Sequence, residues 1–365
     1  MVKKKLLIFM PIMEVGGVEK NLINIANHLI KRFNKISLIT LSNKFKNKFD
    51  KKIEFISFKS YFLRSFGKRK SFILCLYLLF LQILKNRNVV VLCFQGNIYC
   101  TFLCKLLGVR VIVRSNTSPD GWSKNFIKFI FYKYILGLAD KIIVNSLDFK
   151  KNLKLKFNIS STCIYNPLDL KEVVKKSRTK QKIRLNKKKI NLINVGRLVD
   201  QKDQMTLLKA VNRIKNQINF NLIIIGAGNK KHELIDYINR NNLNQKIQLI
   251  GSKNNPFNLI SSSDIFILTS LYEGLPNVLL EAQALKTYII STNCPTGPKE
   301  ILLNGKAGSL FKVGNYKQLS KLILDYSKNR IKYLKMIRCG YQNLYRFDYK
   351  KNLNKYTETI KPLMK

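Results

Sequence analysis

Acid is scarce in this sequence. Its 365 residues hold 20 Asp and Glu against 67 Lys and Arg, for a formal net charge of +47, and only 2 His and 1 Trp. No Asp-x-Asp occurs, so the usual carboxylate pair for a divalent ion is missing and no metal or other cofactor is expected. With His28 and His232 as its only histidines, the chain offers no material for a histidine-based metal centre. Cys75, Cys93, Cys100, Cys104, Cys163, Cys294 and Cys339 include no Cys-x-x-Cys pair, and Cys100-x3-Cys104 has no nearby His. Several lie inside apolar runs, so they read as small core residues in a reducing compartment. Nor is there an apolar run of membrane-spanning length: the most apolar window, 72–84, meets Lys85 and Arg87. The lysine-rich start has too short an apolar run for a signal peptide and reads as a first strand. A cytoplasmic protein is expected.

What is present begins with cations and enough apolar material for real cores, 46% hydrophobic. A field of this sign would draw nucleic acid or an acidic membrane surface. Yet the lysines are spread along the chain, and a compositional bias explains part of the charge equally well. No segment concentrates basic residues with stacking aromatics, so no nucleic-acid partner is expected. The stretch 126–139 mixes Phe129, Phe131 and Ile135 with Lys128 and Lys133, just after Trp122 and Lys124. It fits a helix lying on anionic lipid, at the inner face of the cytoplasmic membrane, and it fits a core-packed helix nearly as well.

Apolar runs alternate with helical patterns, which implies mostly parallel sheets covered on both faces. Strands are expected near 6–10, 36–41, 53–58, 89–94, 109–113, 141–144 and 163–165. After Asn166-Pro167 the run 169–189 is charged and poor in apolar residues, reading as a connector. A second series follows, with strands near 190–195, 220–225, 247–250, 265–268, 288–291 and 309–311 and helices near 203–217, 230–242, 277–286 and 316–337. The chain therefore divides into a first domain 1–168, a linker 169–189, and a second domain 190–340. In doubly wound sheets ligands sit beyond the carboxyl ends of the strands.

Those ends carry the chemistry. Residues 265–285 read as strand, turn and helix, with Glu273-Gly274-Leu275-Pro276 in the turn and Asn277 opening the helix. Pro276 suits the first helical turn, and amides from Asn277 to Leu279 would point out of a helix end that favours phosphate. Glu273 and Glu281 bracket that end. Carboxylates repel a phosphate but accept sugar hydroxyls, so the pattern asks for a ligand with both parts; two solvated glutamates on a strand–loop–helix unit are the plain alternative. Arg197 follows another strand and can fork onto a phosphate, with Lys202 as a point charge nearby and Asp203 as a helix cap. Gly226-Ala227-Gly228 marks close backbone approach to a neighbour or a ligand. A polar loop runs from Thr292 to Glu300. In the first domain, Gly16-Gly17 follows the first strand, and Arg114-Ser115-Asn116-Thr117-Ser118-Pro119-Asp120 follows another.

Gly16-Gly17-Val18-Glu19-Lys20, Gly196-Arg197-Leu198 with Gln201-Lys202-Asp203, Gly226-Ala227-Gly228 and Glu273-Gly274-Leu275-Pro276 through Glu281 together resemble the retaining GT-B glycosyltransferases of family 4, of the surface-polysaccharide and lipid-linked oligosaccharide type. The resemblance implies two doubly wound Rossmann-like domains facing across a cleft, the first taking the acceptor and the second the nucleotide sugar. It further implies that residues 341–365 form a helix crossing back to the first domain. Arg197 and Lys202 would neutralise the donor diphosphate, most commonly UDP, in place of a metal. Glu281 would hold the ribose and Glu273 the hexose, while the backbone at Gly274, Leu275, Pro276 and Asn277 would approach sugar and phosphate. Gly16 and Gly17 would let the first loop close on the donor. A histidine that many relatives place near the acceptor has no counterpart here; Arg114 and Asn116 occupy the comparable turn. The resemblance thus implies transfer of a hexose or N-acetylhexosamine to a lipid-linked or polysaccharide acceptor. Another nucleotide-sugar enzyme, such as an epimerase, and a basic nucleic-acid-binding protein are the alternatives.

Overall fold

The computed structural model describes residues 4–14, 16–33, 35–58, 67–116, 126–179 and 185–365. They fall into two compact units, Met1–Pro167 with Tyr349–Lys365, and Leu168–Asp348.

The first unit is built on a seven-stranded parallel sheet in the order β3-β2-β1-β4-β5-β6-β7. Its strands are β1 Lys5–Phe9, β2 Ile36–Ile39, β3 Glu54–Ile56, β4 Val89–Cys93, β5 Arg110–Ser115, β6 Lys141–Val144 and β7 Thr162–Cys163. β1 and β4 are apolar almost throughout because helices cover both faces. On one face pack helices Lys68–Lys85, Asn97–Leu106, Phe126–Gly137 and Leu147–Phe157, through residues such as Leu79, Cys104, Leu136 and Phe149. On the other lie helices Gly17–Leu29 and Tyr349–Ile360, through Leu22, Ile25, Leu353 and Tyr356. The last helix therefore belongs to the first unit, whereas residues 341–348 stay with the second.

The second unit carries a six-stranded parallel sheet in the order β10-β9-β8-β11-β12-β13. Here β8 is Ile190–Val195, β9 Phe220–Ile225, β10 Ile247–Leu249, β11 Ile265–Leu268, β12 Tyr288–Thr292 and β13 Ser309–Phe311. In both sheets the order reverses beside the first strand: between β1 and β4, and between β8 and β11. A crevice opens at such a reversal because the connections leave in opposite directions.

Two expectations need correction. The charged run read as a connector holds a helix, Leu170–Ser177. Asp169 caps it by accepting from the Glu172 amide at 2.9 Å, Glu172 pairs with Lys176 one turn on, and the single buried Val173 anchors it. The helix expected over 316–337 breaks after Lys328 and resumes as Leu334–Gln342, because Asn329 leaves helical geometry. The turn residues Thr117 to Asp120, with Trp122 and Lys124, lie outside the described residues.

His28 Nε2 meets Thr357 Oγ1 at 3.0 Å, joining the first helix to the last. Burial, then the charges of Arg32 and Lys31, lower its pKa below the ordinary 6.5. Between the lowered value and 6.5 the unfolded chain binds more protons than the folded one, so stability falls as pH drops through that window. The thermal midpoint should therefore decline from about pH 7.5 to about pH 5.5 more steeply in the wild type than in His28→Gln. Equal slopes would contradict this role.

Candidate functional site

The reversal point of the second sheet is where the loops after β8 and β11 meet. Lys202 follows β8 and Glu273 follows β11, and Lys202 Nζ lies 2.5 Å from Glu273 Oε1. Both side chains are largely out of water, 16% and 8% exposed. Ser270 Oγ donates to the same Oε1 at 2.6 Å. Both bonds converge on one oxygen, and among the described residues no protein group donates to Oε2.

Backbone contacts hold the two loops in register. The Leu271 amide donates to Gln201 O at 2.8 Å, Gln201 Nε2 to Tyr272 O at 2.9 Å, and Thr269 Oγ1 to Lys202 O at 2.9 Å. Deeper down, Asn194 Nδ2 donates to Ile267 O at 2.8 Å, tying β8 to β11. The Lys202 stem packs over Gly196, where a Cβ would stand 3.6 Å from Lys202 Cδ in ordinary van der Waals contact. Asp203 adopts a left-handed backbone, φ 43°, and caps helix Gln204–Arg213 by accepting from the Thr206 amide and hydroxyl. Arg197 is exposed at the head of the same loop.

The third loop, after β12, was noted as a polar strand end with no residue in it given a role, and it clamps Glu273. The Glu273 amide donates to Pro295 O at 3.2 Å, and Thr296 Oγ1 donates to Glu273 O at 2.7 Å. Thr296 and Gly297 both have positive φ, 57° and 87°. A β-branched residue in that region is strained, and strain of this kind persists where its surroundings demand it. A Cβ on Gly297 would lie 2.2 Å from Gly274 O. Ser270, Thr296 and Gly297 are thus the positioning residues that motif reading passed over; the Thr-Gly-Pro turn was the available signal. Burial, then the Glu273 charge, pushes the Cys294 thiol in this loop up to about 12, so it stays protonated.

The other expected residues fall as follows. Leu275 and Pro276 are buried and Asn277 opens helix Asn277–Ala284, which carries the buried Glu281. Pro276 stands at the cap rather than inside the helix, and the Leu279 amide is committed to Pro276 O at 3.1 Å, so it does not point outward. Gly226 and Gly228 are required by neighbouring backbone: added Cβ atoms would lie 1.8 Å from Gly196 O and 2.1 Å from Leu198 O. They shape the Arg197 loop. In the first unit, Gly16 is the extended cap of helix Gly17–Leu29, and Glu19 reaches back to accept from the Glu14 amide at 3.1 Å.

Arg114 is corrected from the acceptor side to the interior. It is fully buried, donating through Nε to Tyr356 Oη and through Nη2 to Asn166 Oδ1, each at 2.7 Å, with its guanidinium 5.3 Å from the Phe94 ring centre. Its planar fork and weak hydration suit it to that stacked site, where it fastens the returning helix to β5. Asn116 donates to Phe94 O at 3.0 Å and buries an Oδ1 without a partner among the described residues.

Gly297→Ala should destabilise the fold by about 2 kcal/mol through the left-handed φ and the clash with Gly274, lowering the thermal midpoint by roughly 4 to 8 °C. An unchanged midpoint would show that this loop is not held as described.

Residues 15–172 match the Glycosyltransferase Family 4 model and residues 175–343 the Glycosyl transferases group 1 model. An uncharacterized glycosyltransferase of Methanocaldococcus jannaschii is 38% identical over 184 residues, 48% of this chain and 45% of the relative. A Campylobacter jejuni N-acetylgalactosamine-N,N'-diacetylbacillosaminyl-diphospho-undecaprenol 4-alpha-N-acetylgalactosaminyltransferase is 30% identical over 60% of each chain. This chain therefore spans about half of the one and three fifths of the other. Among solved structures, Anabaena Alr3699/HepE in complex with UDP and glucose superposes with a TM-score of 0.79 at 16% identity, over 98% of this chain and 100% of that one. With both family models matched in order along two parallel α/β sheets, the chain belongs to the family 4 glycosyltransferases of GT-B architecture.

Proposed function

We propose that this chain transfers a hexose or N-acetylhexosamine from a nucleotide diphosphate sugar, with UDP as the carrier, to a lipid-linked or polysaccharide acceptor in cell-surface glycan assembly. The observation that carries the reading is the Lys202–Glu273 pair at the reversal point of the second sheet. A cation and a carboxylate side by side match a ligand whose charged phosphates adjoin neutral hydroxyls. Lys202 turns to the diphosphate, joined by Arg197, and Glu273 Oε2 accepts a sugar hydroxyl. Glu281 takes the ribose. The name of the Campylobacter relative supports a diphospho-polyprenol acceptor, and UDP is the carrier most common in the family.

The transfer retains configuration at the anomeric carbon. The bond from that carbon to the diphosphate oxygen breaks, the acceptor oxygen bonds on the same face, and the acceptor proton passes to the departing diphosphate. The protein positions the reactants and stabilises the charge that develops on the leaving group. Arg197 and Lys202 supply that stabilisation in place of a divalent ion, and no cofactor is used. The protein works at the inner face of the cytoplasmic membrane as a peripheral enzyme.

Screening nucleotide sugars by thermal shift should single out UDP-sugars. With the matching donor, Lys202→Ala or Arg197→Ala should each lower turnover by about tenfold to 100-fold per folded molecule, as loss of one stabilising donor does. Full activity in both variants would contradict the reading.

A further inference from the structure

Three helices on one face of the first sheet are apolar on their outward sides as well as their inward sides. Helix Lys68–Lys85 buries Cys75, Leu79 and Ile83 but exposes Ile73 and Tyr77. Helix Asn97–Leu106 buries Cys100 and Cys104 but exposes Tyr99 and Phe102. Helix Phe126–Gly137 buries Leu136 but exposes Phe131 and Tyr134, the latter at 69%. The outward residues recur at three- and four-residue spacing, so each helix turns a stripe to solvent. The middle helix packs against both of the others, which makes the stripes one surface. Apolar surface that is continuous across elements marks an interaction site, unlike scattered single residues.

Charge identifies the occupant. None of the three helices contains an Asp or Glu, while Arg69, Lys70, Lys85 and Lys133 are exposed on them. Aromatic and aliphatic side chains among lysines and arginines are the composition of surfaces that sink into the interface of an anionic bilayer. A second copy of the chain would set cations against cations across a twofold interface. Among the described residues no helix is long and apolar enough to cross a membrane, so contact through this face would be lateral.

We infer that the face formed by these three helices docks the chain on an anionic lipid surface. The inference rests on the proposed reading of the acceptor as lipid-linked, and it goes further by naming the surface. In parallel α/β units the helices begin beside the carboxyl ends of the strands, so Arg69 and Lys70 lie at that end. Lipid held along the face brings carrier headgroups to the end of the sheet where ligands bind.

The test is flotation of the full chain with vesicles of phosphatidylglycerol and phosphatidylcholine, or of phosphatidylcholine alone, alongside UDP binding by calorimetry. The wild type should float with the anionic vesicles and be released by high salt. The triple variant Tyr99→Ser, Phe102→Ser, Tyr134→Ser should bind those vesicles about tenfold or more weakly with UDP affinity unchanged, since it removes only exposed apolar groups. Wild-type protein that stays in solution at low salt, or a triple variant that floats equally well, would overturn the inference while leaving UDP binding to judge the enzyme reading separately. So would a dimer of the free wild type that the triple variant converts to monomer.

Discussion

An ammonium and a carboxylate held 2.5 Å apart with little access to water constrain everything around them. Neither tolerates such a place alone, because an unpaired charge with so few waters is costly. The pair therefore fixes the spacing of the loops after β8 and β11, and the surrounding bonds follow from that need. Ser270 adds a donor to the carboxylate, Thr296 and Pro295 secure the backbone of Glu273, and the turn beyond them accepts left-handed strain. Such a site is prepared before its ligand arrives. On the proposed reading, a diphosphate would compete with Glu273 for the lysine and free the carboxylate for hydroxyls.

The placement of this pair comes from sheet topology. Parallel strands must be joined by crossovers, and a sheet wound outward in both directions from its first strand leaves a gap where the directions diverge. Chemistry after β8 and β11 is at that gap because those strands are neighbours in space though far apart in sequence. This is why much of the fold was legible beforehand. Buried strands read as apolar runs, unbroken in Ile265–Leu268 and crossed only by asparagines in Ile190–Val195 and Phe220–Ile225, and the glycine and proline turns marked their ends. Arg197, Lys202, Glu273 and Glu281 stood out as charged groups in the loop after a buried strand or in the helix that such a loop leads into.

Other features were not legible, for physical reasons that recur. The family resemblance put Arg114 in an acceptor-side turn, but it lies within strand Arg110–Ser115, and its partners Tyr356 and Asn166 are 242 and 52 positions away with no local pattern to announce them. Helix Leu170–Ser177 was hidden because one buried valine suffices to anchor a short, well-capped helix. Thr296 and Gly297 carry their information in backbone dihedrals, which a threonine does not advertise. The mix of aromatics and lysines in 126–139 pointed to a lipid-facing helix, but the outward stripes of helices Lys68–Lys85 and Asn97–Leu106 were not legible, because periodicity reports an apolar face without saying what covers it.

The central claim is that Lys202 is shared between Glu273 and the donor diphosphate, and calorimetric titration of UDP into a double-mutant cycle of Lys202→Ala and Glu273→Gln tests it most directly. The account predicts that Glu273→Gln changes UDP affinity when Lys202 is present and leaves it unchanged when Lys202 is absent, with a coupling of about 1 kcal/mol or more. Effects that add to within about 0.5 kcal/mol would contradict it.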